Sequence, residues 1–209
     1  MDGVTGPDAR DSRPSLRERR RRHTATEMSA VAAELFLRDG VAATTLADIA
    51  AAAEVSTRTV QRYFANKADV LAPVLREGLQ DYLAAVASIP SRRHDLDELG
   101  AALVDALAVT FEGPDGAREA ERVRLVVGEP ELLSVWLRMH EECVHRLMPL
   151  LAPRLPVAVD PLPLRFGATL VVTANRLAVE TWAATGGDAR DHLVHCLEAL
   201  RTWSLPGTA

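Results

Sequence analysis

Apolar residues recur at intervals of three and four along most of this chain, the spacing that gathers them on one face of an α-helix. Met28, Val31, Ala32, Leu35 and Phe36 carry the pattern through residues 24–39, and Gly40 stands where a helix C-terminus favours glycine. Two short helices fit residues 45–71, TLADIAAAAEVSTRTVQRYFANKADVL. The first covers 46–53, with Thr45 as its cap, because a side-chain oxygen there accepts from orphan backbone N–H groups. The break falls at Glu54-Val55-Ser56, and Ser56 caps a second helix over 57–64. Val60 and Phe64 sit four apart on one face of it, and Thr57, Arg58, Gln61 and Arg62 occupy the other. A helix this short is stable only when packed. Asn66-Lys67 opens a long helix to Ser88, and Ile89-Pro90-Ser91 ends it, since proline disfavours helix in the residue before it.

The helical pattern continues to the end. Leu99, Leu103, Leu107 and Phe111 repeat every fourth residue over 96–111, and the run from Glu112 to Gly116 is a turn by composition. Helices follow over 117–127 and 131–151, separated by Gly128-Glu129-Pro130. Pro153, Pro156, Pro161 and Pro163 mark a loop over 152–164. A strongly apolar helix covers 164–185, closed by Gly186-Gly187, and Asp188 caps a last helix reaching Trp203. No strand pattern of useful length and no internal repeat appears, so the predicted class is all-α. The last two long helices are apolar on more than one face. Such excess usually means an interface, here between two copies; a helix buried within one domain is the alternative.

Composition sharpens this at a few points. The chain has 209 residues, 48% of them hydrophobic and only 4% aromatic, a mix that favours helices over sheets. The net charge of -5 argues against a uniformly basic coat for nucleic acid. Its distribution matters more: residues 1–75 hold 11 Lys and Arg against 10 Asp and Glu, whereas the remainder holds 13 against 19. Residues 1–14, rich in Gly, Pro, Asp and Ser, read as a flexible tail. Arg17, Arg19, Arg20, Arg21 and Arg22 follow. They are either the solvated start of the first helix or an anchor on phosphates, and the neighbouring pair of short helices favours the anchor. No apolar run reaches the roughly 18–20 residues of a membrane span, and no secretory segment opens the chain. Cys143 and Cys196 are too few for a disulfide framework, which points to a reducing cytoplasm.

The exposed face of the second short helix suits the DNA major groove, where hydroxyl, amide and guanidinium groups reach base edges. Thr57, Arg58 and Arg62 are candidates for the bases. Thr45, Ser56, Gln61, Tyr63 and Lys67 are candidates for phosphates, and Thr59 for either. The plainer alternative is that some of these only solvate a helix face. Trp136, Met139, His140 and Cys143 recur near helical spacing and are candidates for an apolar pocket with one polar grip, or for ordinary core around a hydrogen-bonded histidine. Asn175 and Arg176 interrupt an apolar run; a buried Asn must be hydrogen-bonded to a ligand, a partner chain or a backbone carbonyl. Arg122 and Arg124 have no assigned role. His140 with Cys143, and His192, His195 and Cys196, share helix faces, but neither set completes a tetrahedral metal shell. No nucleophile elbow, phosphate loop or zinc-protease motif is present, so no catalytic residue, metal or cofactor is assigned.

Residues Thr45, Ile49-Ala50, Ala53, Val55-Ser56, Arg58-Thr59, Arg62-Tyr63-Phe64, Lys67 and Leu71 together resemble the helix-turn-helix signature of the TetR family of bacterial repressors. The family usually has Gly where this chain has Glu54, a position where a positive φ makes a side chain unfavourable by about 1 kcal/mol. The resemblance implies a three-helix DNA-binding domain over 15–75. It implies a larger helical ligand-binding and dimerisation domain over 76–209, joined to the first by the helix that follows Asn66. A small-molecule cavity is expected between Phe111 and Trp182, and a four-helix dimer contact from the last two helices. The expected function is that of a homodimeric regulator, most simply a repressor released from a pseudo-palindromic double-stranded operator by a small-molecule effector. The competing expectation is a helical protein-interaction or metal-sensing module without sequence-specific DNA binding.

Overall fold

The structure is a computed structural model that describes residues 15–111, 116–155 and 160–202. Ser15 begins it with a capping box: its hydroxyl accepts from the Glu18 N–H, and the Glu18 carboxylate accepts from the Ser15 N–H. One continuous helix, α1 (Leu16–Asp39), follows, so the arginine cluster is the exposed first two turns of that helix. Gly40 ends it at φ 85°, a conformation natural only to glycine.

Helix α2 (Leu46–Ala52) starts at a second capping box, Thr45 with Asp48. The Thr45 hydroxyl's hydrogen bond holds the Asp48 carboxyl below its ordinary pKa. Helix α3 (Thr57–Tyr63) starts at Ser56, whose hydroxyl accepts from the Thr59 N–H at 3.1 Å. Both caps stand where the sequence puts them, and both helices end one residue earlier than expected. Leu35 and Phe36 of α1 join Ile49, Val60 and Phe64 in one buried cluster.

The helix expected from Asn66 instead begins as a 3-10 turn (Ala68–Leu71) and becomes α-helical only at α4 (Ala72–Ser88). The Asn66 side chain accepts from the Asp69 N–H, which tightens this turn. Pro73, which lacks an N–H, then fits the first turn of α4. Helices α5 (Leu96–Phe111), α6 (Gly116–Gly128), α7 (Pro130–Leu151), α8 (Pro161–Thr185) and α9 (Ala189–Thr202) complete the described chain. Among the described residues there is no strand. The apolar helix starts at Pro161 rather than 164, because proline is tolerated in a helix's first turn. The expected tail over 1–14 and the end at Trp203 lie outside the described residues.

Helix α8 packs on α6, α7 and α9, and α4 packs on α5 and α7, so α7 and α8 form the centre of the larger part. The buried core is continuous from Met28 in α1 to Leu193 in α9. Ion pairs link α1 and the 3-10 turn to that part, two of them with short contacts. Arg118 of α6 grips Glu34 of α1, and Arg138 of α7 meets Asp69 at 2.6 Å. All four side chains are at least partly exposed, so each pair adds only a fraction of a kcal/mol, on the order of 0–1.

At the far end of α4 lies a buried arginine with no carboxylate beside it. Arg154 donates to the carbonyls of Ala87 and Ile89 at the end of α4 and to that of Leu150 in α7. The last carbonyls of a helix have no partner within it, and a cation there answers both the missing bonds and the helix dipole. The Arg154 carbonyl in turn accepts from the His94 N–H at 3.0 Å.

Candidate nucleic-acid interface and ligand cavity

The turn between α2 and α3 sets the direction of the exposed helix. Glu54 N–H donates to the Ala51 carbonyl and Val55 N–H to the Ala50 carbonyl, the paired bonds of a Schellman cap. The left-handed position of that cap is Glu54, at φ 54°, the single non-glycine with positive φ among the described residues. An L-residue there is strained by roughly 1–2 kcal/mol, and glycine's extra chain entropy returns part of that gain. Glu54→Gly is therefore expected to stabilise the protein by about 0.5–1 kcal/mol, seen as a higher denaturant midpoint at unchanged slope. An unchanged midpoint would mean that the Glu54 side chain offsets its own strain.

The cap aims α3 so that Val60 is buried and Arg58, Gln61 and Arg62 are exposed, three and four residues apart on one face. Thr57 is half-buried beside them. Ser56 and Thr59 are joined hydroxyl to hydroxyl at 2.8 Å, and Thr45 donates to Asp48 at 2.6 Å, so these three hydroxyls already hold helix ends. The half-buried Lys67 donates from Nζ to the Val41 carbonyl at 2.6 Å, tying the end of the motif to the loop before α2. Tyr63 lies between two guanidinium groups, Arg62 at 5.5 Å and Arg21 at 5.7 Å from its ring centre. Arg21 belongs to the arginine cluster of α1. The Tyr63 ring therefore joins that cluster to the end of α3, and Arg17, Arg20, Arg21 and Arg62 line one open groove.

A second site lies within the larger part. Leu75, Leu79 and Tyr82 of α4, Leu107 of α5, Trp136, His140 and Cys143 of α7, and Val172, Asn175 and Val179 of α8 enclose an apolar cavity. Glu119 of α6 stands at its wall. Its volume is about 40 Å³, room for water and not for a drug-sized molecule. Trp136, His140, Cys143 and Asn175 meet here from two helices. Met139 is buried but turned away, into a narrow crevice with Leu83, Glu142 and Arg146, because a helix turns by about 100° per residue between it and His140. The side chain of Phe111 lies outside the described residues.

The walls carry no free charge. Desolvation lowers the His140 pKa to about 4, and its Nδ1 meets the Trp136 carbonyl at 2.8 Å. A carbonyl only accepts, so Nδ1 carries the proton and Nε2 is a bare acceptor. Burial pushes the Cys143 thiol up to about 11 and the Tyr82 phenol well above its ordinary range. Glu119 is held by Arg122 at 3.0 Å, and Glu180 by Arg176 at 2.9 Å and the Trp136 indole N–H at 2.8 Å. The Tyr82 hydroxyl and both polar atoms of the Asn175 amide are buried without a well-formed hydrogen bond, though the amide lies near enough to oppose part of the phenol's shift.

Sequence reasoning missed Tyr82 and Glu119, and no local signal marks either: each is one residue in an amphipathic helix. Arg124, left unassigned, donates to the Ala183 carbonyl of α8. Among the described residues no three His, Cys, Asp or Glu are grouped as metal ligands, and no helix is long and apolar enough to cross a membrane.

Residues 29–74 match the family described as bacterial regulatory proteins, tetR family. The chain is 36% identical over 151 residues to the HTH-type transcriptional regulator TcmR of Streptomyces glaucescens, covering 70% of this chain and 67% of that protein. Among solved structures it is similar to Thermus thermophilus FadR, a TetR-family transcriptional repressor in complex with lauroyl-CoA. That likeness is 21% identical, spans 88% of this chain and 98% of that one, and has a TM-score of 0.55. It is also similar to NalD of Pseudomonas aeruginosa, the secondary repressor of a multidrug efflux pump, at 22% identity. There it spans 87% of this chain and 98% of that one, with a TM-score of 0.53.

Proposed function

The chain belongs to the tetR family of bacterial regulatory proteins and is a DNA-binding transcriptional regulator with a helix-turn-helix; from that premise we propose that it is a homodimeric cytoplasmic repressor released from its operator by a small-molecule effector. The observation that carries the reading is the division of α3 into a buried Val60 side and an exposed Arg58, Gln61 and Arg62 side. Placed in a major groove, Arg58 and Arg62 reach guanine edges bidentately, with Thr57 beside them. Thr45, Ser56, Thr59, Gln61, Tyr63 and Lys67 contact phosphates, and the arginines of α1 extend that contact beyond the motif. Residues 15–75 form the DNA-reading part, and residues 76–209 the effector-binding and dimerisation part.

The dimer forms through α8 and α9. Leu162 is 78% exposed and Phe166 65%, and with Leu177 they fall within about 60° of one another around α8. Val194 and Leu200 add exposed apolar surface on α9. This is an apolar face that a second copy covers across a two-fold axis. Phe166→Glu is expected to convert the dimer to monomer in sedimentation experiments and to abolish cooperative occupation of two half-sites. A variant that stays dimeric would move the interface elsewhere.

The effector enters the cavity beneath α4. At about 40 Å³ the cavity must open to admit it, so the ligand favours a different setting of α4 from the one described, as any switching ligand must. Two operator half-sites lie a helical turn of about 34 Å, or a multiple, apart, so a change in that setting spoils their simultaneous occupation. No enzymatic step belongs to this function.

The test is a gel shift with the DNA upstream of the protein's own gene against unrelated competitor DNA. The expected result is a discrete complex that survives competitor and weakens steeply with salt. Equal loss to both DNAs would favour an interaction module that has lost sequence-specific binding.

A further inference from the structure

We propose that the cavity selects an uncharged, ring-bearing ligand that presents a hydrogen-bond donor and acceptor side by side, as a carboxamide does, and that Tyr82 and Asn175 read that edge. The inference rests on the cavity being the effector site and adds the chemistry of the effector.

Three polar side chains line this cavity more than nine-tenths buried, and of these Tyr82 and Asn175 lack a well-formed hydrogen bond from the protein, while His140 is held through Nδ1. A buried polar group without a partner is unfavourable by roughly 1–3 kcal/mol, so three such atoms in one place call for an occupant. The Asn175 amide offers one acceptor and two N–H donors, and the Tyr82 hydroxyl offers a donor and an acceptor. Their complement is a short edge with both functions, matched by a carboxamide or by a hydroxyl beside a carbonyl. A lone carboxylate has no donor, and an ammonium has no acceptor.

Charge is excluded on separate grounds. The carboxylate at the wall, Glu119, is already held by Arg122, and Glu180 behind the Trp136 ring is held by Arg176 and the Trp136 indole N–H. His140 is neutral, with Nδ1 committed to the Trp136 carbonyl. An ion entering this space would leave water without a counter-ion, at several kcal/mol. The remainder of the lining is Gly78, the Cys143 thiol, the Trp136 ring and the aliphatic side chains of α4, α5 and α8. The Trp136 and His140 rings meet edge to face at 4.2 Å, which gives the cavity an aromatic wall.

The test uses four one-ring probes of nearly equal size on the full-length protein: benzamide, benzoate, benzylammonium and toluene. Calorimetry is expected to show benzamide binding about tenfold tighter than each of the others. In Asn175→Leu and in Tyr82→Phe, benzamide is expected to fall to near parity with toluene, while thermal unfolding and operator binding show both variants folded. Asn175→Leu is also expected to unfold at a higher temperature than the wild type, since it removes an unsatisfied buried amide. Benzoate or benzylammonium binding as tightly as benzamide overturns the proposal, and so does the absence of binding by all four probes. An undiminished preference for benzamide in both variants also overturns it, because water alone then satisfies the two side chains. Gel shifts in the same solutions separate the two readings. Selective benzamide binding with an unchanged DNA complex removes the release step and leaves the ligand chemistry standing. Release by benzoate and not benzamide overturns the ligand chemistry and leaves the release step standing.

Discussion

Phe36→Ala is expected to lower the stability of the folded protein by about 3–5 kcal/mol, the range for truncating a fully buried phenylalanine. Phe36 is 1% exposed and heads the largest fully buried side chains. It belongs to the core that also holds Ile49 of α2 and Val60 of α3, and α1 packs on α2, which packs on α3, so the void weakens the support of the helix that carries the DNA-reading face. Helices of seven residues have no independent stability. Against a typical total of about 5–15 kcal/mol, this loss leaves the motif marginal at physiological temperature. Denaturant unfolding followed by circular dichroism measures it, and DNA binding should fail at temperatures where the wild type still binds. A loss below about 1.5 kcal/mol would mean that neighbours collapse into the space and that Phe36 is not the keystone of this packing.

The second large effect falls on binding and leaves folding untouched. Arg58→Ala should weaken the specific DNA complex by about 1–3 kcal/mol and relax discrimination at one base pair, the signature of a lost bidentate contact to guanine. Arg58 is exposed on α3 and makes no ion pair with any described residue, so its removal should leave the unfolding midpoint unchanged. Lys67→Ala is the natural contrast, because its ammonium is bonded to the Val41 carbonyl and its loss loosens the motif itself. Competition gel shifts with every single-base operator variant measure both affinity and discrimination. Equal affinity for Arg58→Ala and the wild type would remove Arg58 from the reading face.

The helix-turn-helix was legible because its determinants are local. Thr45 and Ser56 are caps whose effect reaches three residues, and Val60 and Phe64 are fixed by helical period alone. The strain at Glu54 was legible only through the family resemblance, which sets glycine at that position; the structure places Glu54 at φ 54°. The start of α4 was misjudged because Asn66 and Asp69 compete locally with the helix, turning one expected α-turn into a 3-10 turn. The cavity was half legible. Trp136, His140 and Cys143 share one face of α7, so period brought them together, whereas Met139 lies about 100° away. Tyr82, Glu119 and Asn175 come from three other helices, tens of residues apart, and no spacing rule connects them. Arg154 was invisible for the same reason: in a proline-rich stretch it looks like any solvated arginine, and only the fold buries it among the carbonyls of α4.

That buried guanidinium makes the two extremities of α4 unequal. One is clamped to α7 by a buried group through Ala87, Ile89 and Leu150, while the other is held to α7 by the partly exposed pairs Arg138 with Asp69 and Arg76 with Glu142, and to α1 by the Val74 N–H on the Ser29 hydroxyl. A rod of seventeen residues is about 25 Å long, so a swing of roughly 10° about the clamped extremity carries the opposite one through about 4 Å. Tyr82 sits between the two, about 9 Å from the clamped extremity, so on the proposed release a push there would be multiplied roughly two- to threefold at the extremity beside the DNA-reading part.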